Sequence, residues 1–243
     1  MDYYSVYLKR LNRYGKDYET RIQTQREELF ERLLNKSIYR IDFVYKRQVH
    51  PGTFEKYKQD NTRTLHYLLT RLDLDIPNGT VLMLPKDTSH KKEDLEPWMV
   101  YYLEKIPTSG YNRYIMLRMT HLIKWKDRQG KEQSSWAYMY GQENNMLKDE
   151  LKSRSRSATL YTENLKTSFF IMPLTPYIRK DDYIEVGEGD MLEAYVVTGY
   201  DRQSSEGVEY VTIDPVYIRD KSPIPKPMPE DDQQDFFWLL GED

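Results

Sequence analysis

The fold is decided by residues 181–218, where DDYIEV (181–186), EAYVVTGY (193–200) and GVEYVTIDPVYI (207–218) follow one another with turn formers between them. Each run is rich in β-branched and aromatic residues, the texture of a short strand. The same order occurs earlier, as GTVLMLP (79–85), PWMVYYLEKI (97–106) and NRYIMLRM (112–119). Setting Tyr114 against Tyr210 brings Ile115 and Leu117 onto Val211 and Ile213, which predicts an apolar inward face in both copies. Met99 to Leu103 then falls on Ala194 to Thr198. The polar insert KDTSHKKEDLE (86–96) separates the first two strands of the earlier copy alone. Alternating apolar runs recur in any all-β chain, so chance similarity is an equal alternative to duplication.

Outward from these runs, the chain is expected to be mainly β (α+β), with two barrel- or sandwich-like β units, a helical N-terminal arm and an extended C-terminal tail. Asp2 is placed to cap a short helix bearing Tyr4, Tyr7, Leu8 and Leu11, with Gly15 available to end it. Residues 17–36 predict a second helix, with Tyr18, Ile22, Leu29, Phe30, Leu33 and Leu34 mostly on one side and a Glu28–Arg32 pair on another. Residues 38–49 turn β-like until His50-Pro51-Gly52 breaks the run. Residues 53–72 admit an extended arm followed by either a strand or a helix at Leu65 to Leu72. Asp127 to Gly130 predicts a hairpin turn that extends the first sheet. The expected boundaries are an arm at 1–72, a first β unit at 73–142, a polar linker at 143–166, a second β unit at 167–220 and a proline-rich acidic tail at 221–243.

Composition narrows the function classes. The chain has 243 residues and no cysteine, which rules out intrachain disulfides and thiolate chemistry and suits a reducing cytosol. No apolar run approaches a membrane span, and the N-terminus does not read as a signal peptide, so a soluble product made in the cytoplasm is expected. The net charge of −3 hides an asymmetry. Residues 1–72 carry 15 Lys/Arg against 9 Asp/Glu, whereas residues 221–243 carry 2 against 6. A positive head and an acidic tail attract one another between copies, or the head approaches an anionic partner. The 22 tyrosines suit surfaces that become buried on assembly. In the tail, Pro223, Pro225, Pro227 and Pro229 enforce an extended spacer before Phe236, Phe237, Trp238, Leu239 and Leu240. Those five side chains are costly to leave in water, at about 1.5–3 kcal/mol each, and are expected to bind a partner.

Reactive chemistry has little support. The four histidines, His50, His66, His90 and His121, have no metal-ligand spacing, and no nucleotide-binding or nucleophile-elbow motif occurs, so no metal, no cofactor and no enzymatic activity are expected. Asp181, Asp182, Asp190 and Glu193 would serve a carboxylate-dependent hydrolase if they converged in a cleft. Lys124, Lys126 and Arg128 beside Trp125, together with Lys152, Arg154 and Arg156, are placed to contact a phosphate backbone, the basis of an alternative reading as a nucleic-acid-binding β-barrel module.

The motif from Gly79 to Lys131, GTVLML…PWMVYYLEK…YNRYIMLRMTHLIKWKDRQGK, is similar to neck and head-closure structural proteins of tailed bacteriophages from Gram-positive hosts. The resemblance rests on Gly79, on Trp98-Met99-Val100, and on Ile123-Lys124-Trp125 with Asp127 and Gly130. The later strand set, 181–213, resembles that of small phage head-tail joining proteins. It covers residues 79–140 best and 181–219 less well. It implies a non-enzymatic virion protein in the neck, a head-tail connector forming a homo-oligomeric ring between a portal or adaptor protein and a tail protein. In that setting the basic residues would touch packaged DNA in the central channel, and residues 236–240 would clasp a neighbour.

Overall fold

The computed structural model describes residues 3–11, 17–57, 64–86, 95–104, 106, 110–140, 168–187, 192–203 and 205–216. Among these residues two helices, α1 (Tyr3–Leu11) and α2 (Tyr18–Lys36), precede twelve strands. Strands β1 (Arg40–Tyr45), β2 (Gln48–Lys56), β3 (Leu65–Thr70), β4 (Val81–Pro85), β5 (Leu95–Glu104) and β6 (Asn112–Arg118) form a six-stranded sheet in the order β1-β2-β3-β6-β5-β4. Strands β7 (His121–Lys126), β8 (Glu132–Tyr140), β9 (Phe169–Pro173), β10 (Tyr183–Val186), β11 (Glu193–Asp201) and β12 (Val208–Pro215) form a closed barrel in the order β10-β11-β12-β9-β8-β7. Every strand pair in both units is antiparallel. The expectation of two β units with helices ahead of them holds.

The strand ladders group the chain otherwise than the expected boundaries. β1, β2 and β3 belong to the first sheet rather than to an arm, and the β7–β8 hairpin opens the barrel instead of extending the sheet. The chain crosses between units in two residues. The Met119 amide donates to Pro97 O in the sheet at 2.9 Å, and the next amide, of Thr120, donates to Ala137 O in the barrel at 3.0 Å. A change of sheet that abrupt leaves no linker to see in the sequence. The ambiguous segment at Leu65 resolves as strand. His50-Pro51-Gly52 does not end a run but lies inside β2, because β2 meets β3 only from Thr53 onward and the missing Pro51 donor therefore faces no ladder on that side. The turn sits earlier, at Lys46 and Arg47, both with positive φ (47° and 64°). Expected segments 143–166 and 221–243 lie outside the described residues, as does His90.

The sheet curls around one core, with Phe43, Phe54, Leu68, Leu82, Trp98 and Met116 packed inside it. The barrel encloses a second, including Ile123, Trp125, Phe170, Ile184, Val197 and Val211. A third core is the seam between units. Met99, Tyr101, Ile115 and Leu117 on the outer face of the sheet meet Tyr138, Tyr140, Phe169, Ile171, Val208 and Tyr210 on the outer face of the barrel. In the middle of it the Tyr101 and Tyr210 hydroxyls lie 2.8 Å apart, each satisfying a polar tip that burial would otherwise strand.

The seam explains why the expected alignment of the two strand sets is off, by one residue at the third strand and by two at the middle one, where Val100 matches Val197 rather than Tyr195. Each set is an antiparallel meander whose middle strand carries a register shift, between Val100 and Tyr102 in β5 and between Val197 and Gly199 in β11. Matching those irregularities pairs Met116 with Ile213 and Tyr114 with Val211, all four inside their own unit. The expected match instead placed seam residues Ile115 and Leu117 on barrel-interior residues. Both faces of β6 and β12 are apolar, so a period of two does not say which face is inward.

Of the two helices, α2 is fixed by its cap, Asp17, whose carboxylate accepts from the Thr20 amide at 2.8 Å. The expected apolar stripe is only partly buried. Phe30 and Leu34 dock on Leu69, with Tyr67 and Tyr111 beside them, and Arg71 bonds Glu31 at 2.6 Å. Tyr18, Leu29 and Leu33 stay exposed. The Glu28–Arg32 pair forms as expected, at 3.5 Å and in solvent. Among the described residues no helix is long and apolar enough to cross a membrane.

Where the units meet, the turn at Asn78-Gly79 abuts the turn at Gly207. Both glycines have positive φ (82° and 75°), and a Cβ on Gly207 would stand 2.2 Å from Asn78 O. Gly130 also has positive φ (73°) but has nothing within 4 Å of a Cβ. Gly130→Ala should therefore cost only the left-handed conformation, about 1 kcal/mol. Gly207→Ala should cost that plus displacement of one unit from the other, and should lower the urea midpoint clearly further. Equal midpoints for the two variants would show that the turns are not in contact.

Candidate nucleic-acid interface

The basic residues singled out near Trp125 are presented by the β7–β8 hairpin. Its turn is closed by Asp127, whose carboxylate accepts from the Gln129 amide at 3.0 Å, the Lys131 amide at 3.0 Å and the Gln133 side-chain amide at 2.8 Å. Those bonds, the Gln133 one foremost, hold the Asp127 carboxyl below the ordinary range, so it remains an anion committed to the turn. Alternation along β7 does the rest. Ile123 and Trp125 point into the barrel and are buried, while Leu122, Lys124 and Lys126 point outward and Arg128 is exposed in the turn.

Lys124 and Lys126 thus share the outward face of β7, with Arg128 exposed in the adjoining turn, but Trp125 is not beside them; it is a core residue of the barrel. The aromatic on the outer face is Trp136, half-buried and opposite Leu122 in register. The face is also mixed in charge. Lys124 stands between Ser134 on β8 and Glu185 on β10, and Lys126 stands opposite Glu132. Lys152, Arg154 and Arg156 lie outside the described residues, as do Phe236, Phe237, Trp238, Leu239 and Leu240.

The carboxylates required by a hydrolase do not converge. Asp181 and Asp182 precede β10, tied to β11 through the Asp181 amide to Val197 O at 2.8 Å. Glu193 lies at the other end of that four-residue strand, opposite Val186. The separation along β10 is therefore about 10 Å or more. Asp190 is outside the described residues. Asp182 accepts from the Arg179 amide at 2.7 Å, and its carboxyl is raised by burial against the opposing pull of that bond and of the Arg179 and Arg128 charges. Among the described residues no group of three metal-ligating side chains is assembled. Two of the histidines, which the sequence did not read as site residues, have packing roles. His66 is buried between Phe54 and Trp98, at 4.7 and 4.6 Å between ring centroids, and His50 lies against Phe43 and Tyr45.

Sequence reasoning missed two polar clusters. At one rim of the barrel, the Tyr195 hydroxyl donates to Glu193 at 2.5 Å, and Thr120 Oγ1 lies 2.7 Å from His121 Nδ1. Burial, followed by the bond to and charge of Glu193, pushes the Tyr195 hydroxyl up to about 12. Elsewhere Arg202 donates to the buried Glu209 at 2.8 Å and to the carbonyls of Thr175 and Ile178 at 2.9 and 2.6 Å. This network pins the segment between β9 and β10 to β12, and burial raises the Glu209 carboxyl despite the guanidinium. Neither cluster has a signature at fixed spacing, because barrel closure brings its members together.

No family model and no curated protein matches the chain. Solved structures that match include K. pneumonia MrkH in its apo state, at 11% identity over 90% of each chain with a TM-score of 0.22. A second is the MrkH–c-di-GMP complex, at 13% identity over 90% of this chain and 92% of that one, with a TM-score of 0.23. A third, described as a c-di-GMP dependence transcription regulatory factor, has 14% identity, 90% and 89% coverage and a TM-score of 0.21. The matches are to a transcription regulator where a phage head-closure subunit was expected, and the neck assignment is corrected on that finding. Superpositions this loose transfer no ligand, site or residue role.

The barrel rim gives a direct test of the electrostatics. Burial holds the His121 imidazole below its ordinary 6.5, with Glu193 pulling it upward. A depressed folded-state value means that the contribution to stability is complete above the unfolded value and is lost as pH falls through the folded one. Imidazole NMR should therefore show His121 titrating below 6.5, and lower still in Glu193→Gln. A midpoint at or above 6.5 would contradict the placement of His121 at a buried rim.

Proposed function

We propose that the chain is a nucleic-acid-binding β-barrel module that engages a phosphate backbone with the outer face of the β7–β8 hairpin. The observation that carries this reading is the alternation of β7, which locks Ile123 and Trp125 into the barrel and thereby fixes Lys124 and Lys126 outward beside Arg128. Cations held on a rigid strand bind a polyanion with little ordering cost, and each phosphate neutralised releases counterions. Glu132 and Glu185 beside the two lysines temper the field of this face, so affinity is expected to be modest and steeply salt-dependent. The half-buried Trp136 at the same face offers an edge on which a base can rest. One matching solved structure is described as a c-di-GMP dependence transcription regulatory factor, and that dinucleotide serves as a second probe, but the likeness gives the proposal no weight.

Fluorescence anisotropy with labelled single- and double-stranded DNA at 50 and 200 mM salt tests the proposal, with c-di-GMP as a separate ligand. Micromolar binding at the lower salt is expected, and each of Lys124→Ala and Lys126→Ala should reduce the slope of log affinity against log salt by about 1. Absence of binding at the lower salt, or binding indifferent to both substitutions, would remove the β7–β8 face from consideration.

A further inference from the structure

The apolar side chains that α2 leaves in water form a surface of their own. Tyr18 is 77% exposed, Leu29 62% and Leu33 39%, and Ile22 is half-buried among them. At 100° per residue these four fall within about 60° of one another, to one side of the Phe30–Leu34 stripe that docks on the sheet. The charges around this second stripe are segregated. Arg21, Arg32 and Lys36 border it on one side or sit on it, Arg26 borders the other with the acid Glu19 beside it, and Glu27, Glu28 and Glu31 project from the opposite half of the helix. Glu31 is engaged with Arg71, and Glu28 with Arg32. The result is an apolar ridge with a mostly basic border.

The sequence contains one segment of matching chemistry. In DFFWLLGED (235–243), five consecutive large apolar residues are bounded by Asp235 on one side and by Glu242 and Asp243 on the other. From Tyr18 to Leu33 the ridge is about 22 Å long. An extended strand from Asp235 to Glu242 spans about 23 Å, so acids at both ends can meet the basic border while the aromatics cover the ridge. Residues 217–234, with four alternating prolines, provide a reach of up to about 55 Å from the end of the barrel.

We propose that the exposed ridge of α2 is the docking site for segment 235–243 of this chain. The contact combines burial of Phe236, Trp238 and Leu240 on Ile22, Leu29 and Leu33 with attraction between Asp235, Glu242 or Asp243 and the arginines. This inference is independent of the nucleic-acid reading, which concerns the opposite unit of the molecule.

Hydrogen exchange of the full chain tests it. Phe236→Ser with Trp238→Ser should speed amide exchange in α2 by about tenfold or more, leaving the barrel peptides unchanged. A labelled peptide of residues 231–243 should bind that variant, more weakly at higher salt. It should not bind once Leu29→Glu and Leu33→Glu, both at exposed positions, are added, with circular dichroism confirming an intact fold. Protection of α2 that falls on dilution assigns the docked segment to a second copy, and constant protection assigns it to the same chain. Unchanged α2 exchange in the segment variant, or peptide binding that survives Leu29→Glu and Leu33→Glu, overturns the proposal.

Discussion

The apolar seam between the curled sheet and the barrel is the constraint on which the rest of the molecule depends. At the seam neither unit leaves a sheet face to solvent. β5 and β6 on one side, and β9, β12 and the C-terminal half of β8 on the other, are buried on both faces, so each unit completes its partner's surface. The aromatic residues Tyr101, Tyr138, Tyr140, Phe169 and Tyr210 fill this seam, and the hydroxyl pair between Tyr101 and Tyr210 removes the penalty of burying their polar tips. Part of the chain's abundant tyrosine is thereby accounted for within the monomer, where composition alone had suggested assembly. The abutting turns at Gly79 and Gly207 set how closely the units approach, because neither backbone leaves room for a side chain.

That same seam decides what could be read from the sequence. Strands with one face in water, such as β7, alternate cleanly, so the period separates inward from outward residues, although Trp125 was grouped with the lysines rather than opposite them. Strands buried on both faces were recognisable as strands but not orientable, which is why the two meanders were aligned out of register. The hairpin turn at Asp127 was legible because it uses a side-chain acceptor at a characteristic spacing; the cap at Asp17 uses one too but was not read as a cap. The Lys46–Arg47 turn was not, because it adopts positive φ at two residues that ordinarily avoid it. Domain boundaries failed for a topological reason: the crossing from sheet to barrel occupies two residues with strand-like hydrogen bonding on either side.

The candidate site was legible to the same degree. Alternation put Lys124 and Lys126 on a common outward face, yet the acids that temper them, Glu132 and Glu185, come from two neighbouring strands and depend on register. The carboxylates around β10 looked close in sequence and are held apart by the strand itself. His121, Glu193 and Tyr195 show the reverse, being distant or unremarkable in sequence and gathered at one rim.

The two β units differ in how they are closed. In the barrel every strand has a hydrogen-bonded neighbour on each side, so removing any one breaks two ladders. In the sheet, β1 and β4 lie side by side without a ladder, joined through Ile41, Phe43, Leu82 and Leu84. This gives the molecule a built-in order of failure. Heat, denaturant or pulling force meets its least resistance along that unladdered junction, and the first unit opens there like a cuff while the barrel stays shut.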